Sequence, residues 1–170
     1  MLESPRLAYR AIEERDTERV LAWRNSDAVR LHFIYRKAIT PEEHLRWLHE
    51  KVFAGLVEQY IVAERESSRE IGSVYFQHID RAQGTAEYGV FIGEADVCGK
   101  GYGTEIAKAA VAHAFGAMGL QELTLRVLAA NGRAIRCYRK AGFAEGGRPA
   151  ETAWIDGAEE KVVFMSIRKG

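Results

Sequence analysis

Cysteine is scarce in this chain, and so are proline and any surplus of one charge. The two cysteines, Cys98 and Cys137, fit no zinc-binding spacing and are too few for a disulfide framework. Only three prolines are present, and no Pro/Ser linker or low-complexity tract marks a place to divide the chain. Lys+Arg and Asp+Glu stand at 24 each, so no bulk charge points to nucleic acid or an anionic membrane as partner. No apolar run approaches the length of a membrane span. The opening, MLESPRLAYRAIEERD, mixes charges and has no apolar h-region, so it does not read as a signal peptide. These absences lead to the expectation of a reduced, cytoplasmic protein forming one domain over residues 1–170. With 47% hydrophobic residues, the chain can build a sizeable core.

What is present alternates between two periodicities. Residues 6–11 suit a first strand, and 14–25 a helix with Val20, Leu21 and Trp23 near its inner face. Thr40-Pro41-Glu42-Glu43 is a helix start: Thr40 caps, Pro41 takes the first helical position, and Glu43 closes a capping box. Leu45, Leu48 and Val52 then share a face. A short strand is expected over 60–63, and a hairpin from 71–79 and 85–92 with its turn between Asp80 and Gly84. A helix follows a glycine-rich turn at 98–103 and is expected to run to Gly119. Then come a strand at 123–127, a helix from Gly132 to Lys140 stopped by Gly142, and two strands, 151–155 and 161–167, joined through Asp156-Gly157. The pattern predicts an α/β (α+β) domain: a mixed, mostly antiparallel sheet of six to seven strands with helices on both faces.

The segment YGVFIGEADVCGKGYGTEIAKAAVAHAF carries the most information. A strand enters a turn with Gly99, Gly101 and Gly103, and the turn opens a helix. Glycines admit positive φ and close approach of a ligand. The first amides of a helix lack intrahelical partners and face the turn, where the helix dipole adds positive potential. Such a turn holds a pyrophosphate mainly with backbone. A dinucleotide fingerprint needs G-x-G-x-x-G and a later acidic residue, whereas the spacing here is G-x-G-x-G and Val127 to Ala130 offer no acid. A Walker A loop fails as well, because Glu94 stands where its first glycine belongs. In AANGRAIRCYRKAGF, Asn131, Ala134 and Tyr138 fall on one helix face: an amide, a small residue and a phenol.

These two segments together resemble the GNAT acetyltransferases, in particular the branch holding ribosomal-protein alanine, spermidine and pseudaminic-acid-pathway amino-sugar N-acetyltransferases. The similarity extends to WRNSDAVR, TPEEHLRWL and IGSVYFQHID, and so spans almost the whole chain. The resemblance implies the GNAT fold, with acetyl-CoA as the acyl donor and CoA as product. It implies that Cys98, Gly99, Lys100, Gly101, Tyr102, Gly103 and Thr104 hold the pyrophosphate. It implies that the strand at 88–92, with Phe91 and Ile92, pairs with the pantetheine arm, and that Asn131, Arg133 and Ala134 lie beside it. Tyr138 is then the acid that protonates the leaving thiolate. One departure stands out: the turn usually begins with Gln or Arg, and here that position is Cys98, which removes a side-chain donor.

Acetyl transfer to an amine needs a neutral amine, a stabilised oxyanion and a protonated thiolate. Neutralising an alkyl amine of pKa ~10.4 at pH 7 costs about 4–5 kcal/mol; an α-amino group costs only about 1. Glu87 is the candidate base, acting through a water, or else an ordinary strand glutamate in a cross-strand ion pair. Trp23, Arg24, Arg30, Tyr35 and His78 are the candidates for the acceptor side, with His44 and Trp154 as further possibilities. The cations Arg24, Arg30, Arg36 and Lys37 tilt the acceptor toward a small acidic amine such as a nucleotide-linked amino sugar. A peptide or protein N-terminus, a polyamine, and a non-catalytic CoA-binding domain are the alternatives. Neither a nucleic acid nor a membrane partner is expected, and the chain suits a monomer or homodimer.

Overall fold

The computed structural model describes residues 2–170. Eight strands form one sheet in the order β1 (Leu7–Ala11), β2 (Glu58–Glu64), β3 (Glu70–Asp80), β4 (Thr85–Ile92), β5 (Glu122–Leu128), β8 (Ala158–Arg168) and β6 (Ala144–Glu145), with β7 (Glu151–Ile155) also paired to β8. Every pairing is antiparallel except β4 with β5. The eighth strand, β6, lies beyond the six or seven expected from the sequence. It is only two residues long and both are exposed, so no alternation of polar and apolar residues announces it.

Helices cover both faces. On one lie α4 (Tyr102–Phe115) and α5 (Gly132–Lys140); on the other, α1 (Thr17–Arg24), α2 (Asp27–Arg30) and α3 (Pro41–Trp47). The α4 face holds the larger core. Its Ala107, Ala110 and Ala114 bury completely, and small side chains there bring the helix down onto Phe76, Leu123 and Leu125. The other face is closed by Val20, Trp23, Val29, Leu48, Ile61 and Phe91.

Local chemistry explains most element boundaries. Thr40 Oγ1 accepts from the Glu43 amide at 3.2 Å while Glu43 returns the bond to the Thr40 amide at 2.9 Å, as the sequence predicts. α3 passes directly into a π turn at Leu48–Val52, where the Phe53 amide reaches the Leu48 carbonyl at 2.8 Å. Asp156 and Gly157 both take positive φ, 52° and 79°, and make the expected two-residue hairpin between β7 and β8. The end of α4 differs from expectation. The helix stops at Phe115, and Gly119 sits beyond it in the connecting turn with φ 69°. Met118 instead donates back to His113 at 3.0 Å and Leu120 to Ala114 at 2.9 Å, so the apolar stripe continues through a wider, non-α turn.

Among the described residues, no helix is long and apolar enough to cross a membrane. Phe76 is fully buried on β3 between Tyr88 and His113. Phe76→Ala is expected to lower unfolding free energy by about 3–5 kcal/mol, through lost transfer energy plus a cavity. Urea denaturation of the two proteins, with an unchanged slope and a lower midpoint, measures it.

Candidate active site

The only parallel pair among the described residues comes apart almost as soon as it forms. β4 and β5 are in register at Thr85–Glu122, Ala86–Leu123 and Glu87–Thr124, and no pairing follows. From Tyr88 to Ile92, β4 keeps its partner β3 on one side but presents a free edge on the other. The aromatic trio Tyr88, Tyr138 and Phe143 packs beside the gap, with ring centroids 6.0 to 6.1 Å apart. The resulting cleft has a volume of about 990 Å3. It runs from the α1–α3 face of the sheet through the gap to the turn before α4.

That turn is built for backbone recognition. Gly101 is the cap of α4 in the left-handed region, φ 83°, a conformation that glycine adopts without strain. A side chain at Gly99 would meet nothing within 4 Å, so the approach is open. Cys98, Gly99, Gly101, Tyr102, Gly103 and Thr104 all line the cleft, as do Phe91, Ile92, Asn131, Arg133 and Ala134. The first-turn amides of the fourteen-residue α4 have no intrahelical acceptor. An extended ligand with a pyrophosphate at one end and a slender arm along β4 fits this cradle.

Lys100 departs from the expected set. Its ammonium pairs with Glu64 at 3.5 Å, on the side away from the cleft, and Tyr102 donates to the same carboxylate at 2.8 Å. Its backbone carbonyl takes a bond from Arg6 at 2.9 Å. The residue braces the turn from outside and does not line it. Asn131 lines the cleft but spends its Oδ1 on capping α5, accepting from the Ala134 amide at 3.3 Å.

Tyr138 projects from α5 to the free edge of β4. Burial, and next the neighbouring Tyr75, push its phenol well above the ordinary range. It therefore carries its proton at neutral pH. Glu87 stands on β4 at the last paired position. Its carboxylate accepts from Gln77 at 2.9 Å and from Arg126 at 3.2 Å, and His78 Nδ1 lies 3.4 Å away. Burial raises its pKa, but the bonds from Gln77 and Arg126 outweigh that and leave it below the usual carboxylate range. Glu87 lines the cleft and is also held in the cross-strand ion pair expected of an ordinary strand glutamate, with Arg126.

On the acceptor side, Arg24 and Tyr35 line the cleft, while Trp23, Arg30 and His78 do not. Trp23 is a core residue, 6% exposed, edge-on to Phe91 and donating to Glu94 at 2.8 Å. Arg30 closes a local pair with Asp27 at 2.8 Å. His78 sits at an irregularity between β3 and β4 with φ 50°, which turns its ring outward. Trp154 is 72% exposed and also lies outside the cleft.

Arg24 is the unusual member. It is only 5% exposed, stacks over Phe33 at 3.7 Å, and donates to the Tyr35 carbonyl at 2.5 Å. Its Nη1 is buried without a partner. Burial lowers its pKa, and only the phenols of Tyr75 and Tyr35 oppose that. Two more of the buried polar atoms left without partners, His44 Nε2 and the Tyr88 hydroxyl, belong to cleft-lining residues. Polar groups buried in a protein ordinarily find partners, so these three are exceptions, and all three belong to residues that line the cleft.

Sequence reasoning missed Tyr75, Gln77, Phe33 and Arg126. They lie on β3, β5 and the segment after α2, and become neighbours only once β3, β4 and β5 are laid side by side.

Comparison with known proteins identifies the family and the fold. Residues 6–144 match the family model described as an acetyltransferase (GNAT) domain. A Bacillus subtilis protein provisionally named phosphinothricin acetyltransferase is 30% identical over 158 residues, covering 89% of this chain and 92% of its own. The spermidine N(1)-acetyltransferase of Escherichia coli K12 is 27% identical over 154 residues, covering 91% and 82%. An uncharacterized protein of Methanocaldococcus jannaschii is 26% identical over 155 residues, and there the chain spans 31% of the relative's length. The crystal structure of spermidine N-acetyltransferase from Vibrio cholerae with CoA and spermine superposes with a TM-score of 0.87 at 22% identity, over 96% of this chain and 95% of that one. The chain belongs to the GNAT acetyltransferase family and is an acetyl-CoA-dependent N-acetyltransferase.

Proposed function

We propose that the protein acetylates the primary amine of a small acidic acceptor, with a nucleotide-linked amino sugar as the leading candidate, using Tyr138 as the acid. The free edge of β4 opposite Tyr138, with the α4 turn at its end, carries the catalytic part of this reading. Acetyl-CoA supplies an activated thioester. The amides of Gly99 and of Gly101 to Thr104 would hold its pyrophosphate, and the edge at Phe91 and Ile92 its pantetheine arm, with Asn131, Arg133 and Ala134 alongside. Strand amides beside Phe91 would stabilise the carbonyl oxygen as negative charge develops there.

The amine nitrogen forms its bond to the carbonyl carbon as the carbon–sulfur bond breaks. Tyr138 gives its phenolic proton to sulfur. The proton shed by nitrogen returns through solvent to Tyr138, so the net change moves one hydrogen from nitrogen to sulfur. Glu87 supplies negative charge beside the approaching amine. Tyr138→Phe keeps the ring among Tyr88 and Phe143 and removes only that proton. A fall of about 10²–10⁴ in kcat is expected, with the CoA-induced thermal shift intact. Steady-state kinetics and thermal melts of both proteins check it.

The depressed pKa of Glu87 keeps it ionised throughout the neutral range. It is protonated only as pH falls below the ordinary carboxylate range, so its titration cannot produce a rise in rate near neutrality. The rise of kcat/KM with pH is expected to track deprotonation of the acceptor amine. Glu87→Gln should lower kcat/KM while leaving the midpoint of that rise in place. A midpoint that disappears in the variant would assign the rise to Glu87 after all.

The acidic character of the acceptor rests on Arg24. A buried guanidinium with no carboxylate partner is strongly unfavourable unless an anion completes it. The spermidine N-acetyltransferase relatives support a second reading, a polyamine acceptor, for which Glu43, Glu50 and Glu87 are the carboxylates lining the cleft. CoA release from acetyl-CoA distinguishes the two. Amino-sugar nucleotides and glucosamine 6-phosphate are expected to react in preference to glucosamine, N-terminal peptides and spermidine. Reaction with spermidine alone would establish the second reading.

A further inference from the structure

Tyr75 lies opposite Gly89 in the antiparallel pairing of β3 with β4. Its ring fills the space that any side chain at 89 would take. A Cβ built on Gly89 would stand 2.1 Å from Cζ, 2.3 Å from Cε2 and 2.4 Å from the hydroxyl oxygen. Glycine at 89 therefore admits the phenol onto the surface of β4, and the hydroxyl comes to rest over the strand. That stretch of β4, past Glu87, is where pairing with β5 has ended.

The surroundings are those of the acceptor side. Glu87, Gly89 and Phe91 alternate onto the same face of β4. The charged groups nearest Tyr75 are Arg24, Glu87 and Arg126, and Tyr138 is a neighbouring phenol. Burial pushes the Tyr75 phenol up to about 12, so it keeps its proton at neutral pH and offers both a donor and an acceptor. Among the described residues no group hydrogen-bonds its hydroxyl, although the residue lines the cleft. Tyr75 is half-buried, and its hydroxyl is not one of the fully buried polar atoms left without a partner, so it stays within reach of a group entering the cleft. A packing role alone calls for a ring over Gly89 and gives no reason for a hydroxyl there.

We infer that the Tyr75 hydroxyl is a second functional phenol, which accepts a hydrogen bond from the attacking amine and fixes its lone pair toward the thioester carbon. Tyr138 and Tyr75 then stand on the two sides of the reacting bond. Tyr138 serves the leaving sulfur, and Tyr75 orients the entering nitrogen. This inference rests on the N-acetyltransferase reading of the cleft and adds to it the residue that positions the amine.

Tyr75→Phe keeps the ring over Gly89 and deletes only the hydroxyl. With whichever panel amine the wild type acetylates best, kcat/KM for the amine is expected to fall roughly tenfold or more. KM for acetyl-CoA and the thermal midpoint should stay at wild-type values. Gly89→Ala would drive the ring off the strand, so it should reproduce the loss. The double variant Tyr75→Phe/Gly89→Ala should be no slower than Gly89→Ala alone. Wild-type kcat/KM in Tyr75→Phe, or full activity in Gly89→Ala, overturns the role of Tyr75 and leaves the acetyltransferase reading standing. A joint shift of acetyl-CoA KM and thermal midpoint in Tyr75→Phe also overturns it, since that is the mark of a structural residue. Silence of the wild type toward every amine overturns both.

Discussion

Everything functional in this molecule depends on two parallel strands that pair for three residues and then part. A strand edge inside a folded domain is costly, because its N–H and C=O groups need partners. β4 has such an edge from Tyr88 onward, and the structure leaves it facing a cleft instead of another strand. The parting is wedged open by side chains. Tyr88, Tyr138 and Phe143 fill the volume where continued pairing would otherwise bring β5 and α5 against β4. Arg126 reaches back across the gap to Glu87, so one ion pair spans the strands just where their backbones separate. The edge is thus left free to pair, and the proposed function gives it an extended ligand arm in the manner of an added strand.

The polar groups follow from that geometry. One end of the cleft is lined by backbone donors of the α4 turn, which suit an anion without any charged side chain. Lys100, the one cation within the turn, is turned away to Glu64. The loss of a donor at Cys98 therefore falls on a site whose recognition was already the work of amides. At the other end, Arg24 is held against Phe33 and the Tyr35 carbonyl with one nitrogen unmatched. The two ends differ in kind: a ring of backbone dipoles at one, which the proposed function gives to pyrophosphate, and a single buried cation at the other, which it gives to the acceptor.

Legibility in the sequence tracked how local the determining contacts were. The capping box at Thr40–Glu43 and the turn at Asp156-Gly157 each depend on residues within three positions, and each could be read directly. The glycine turn before α4 and the phenol at 138 were legible for the same reason, since a strand, a turn and a helix fix their relation. Trp23 and Arg24 are adjacent in sequence, yet one is core and the other lines the cleft, and nothing in WRN distinguishes them without the sheet beneath. The pair Tyr75 and Gly89 is the clearest limit. An isolated glycine in a strand hints at close approach by something, but only the β3–β4 register says that the approaching group is a phenol.

The acceptor side and the cofactor side must also hold their separation, because a misplacement of about 1 Å can cost on the order of a hundredfold in rate. The sheet alone cannot ensure this, since the acceptor residues ride on short helices of eight and four residues. Trp23 supplies the missing tie. Its ring lies against Gly93, where a Cβ would come within 2.0 Å, and its Nε1 donates to Glu94 at 2.8 Å. Glu94 in turn pairs with Arg69 at 2.5 Å, and Arg69 with Asp96 at 2.7 Å, two residues before Cys98. Arg69 and Asp96 are exposed enough for solvent to weaken their attraction. The indole does not share that weakness, being buried on Phe91 and hydrogen-bonded at the end of β4. Trp23 therefore fixes α1, and with it Arg24, to the strand that presents the free edge. A residue that does not line the cleft thus ties its two walls together.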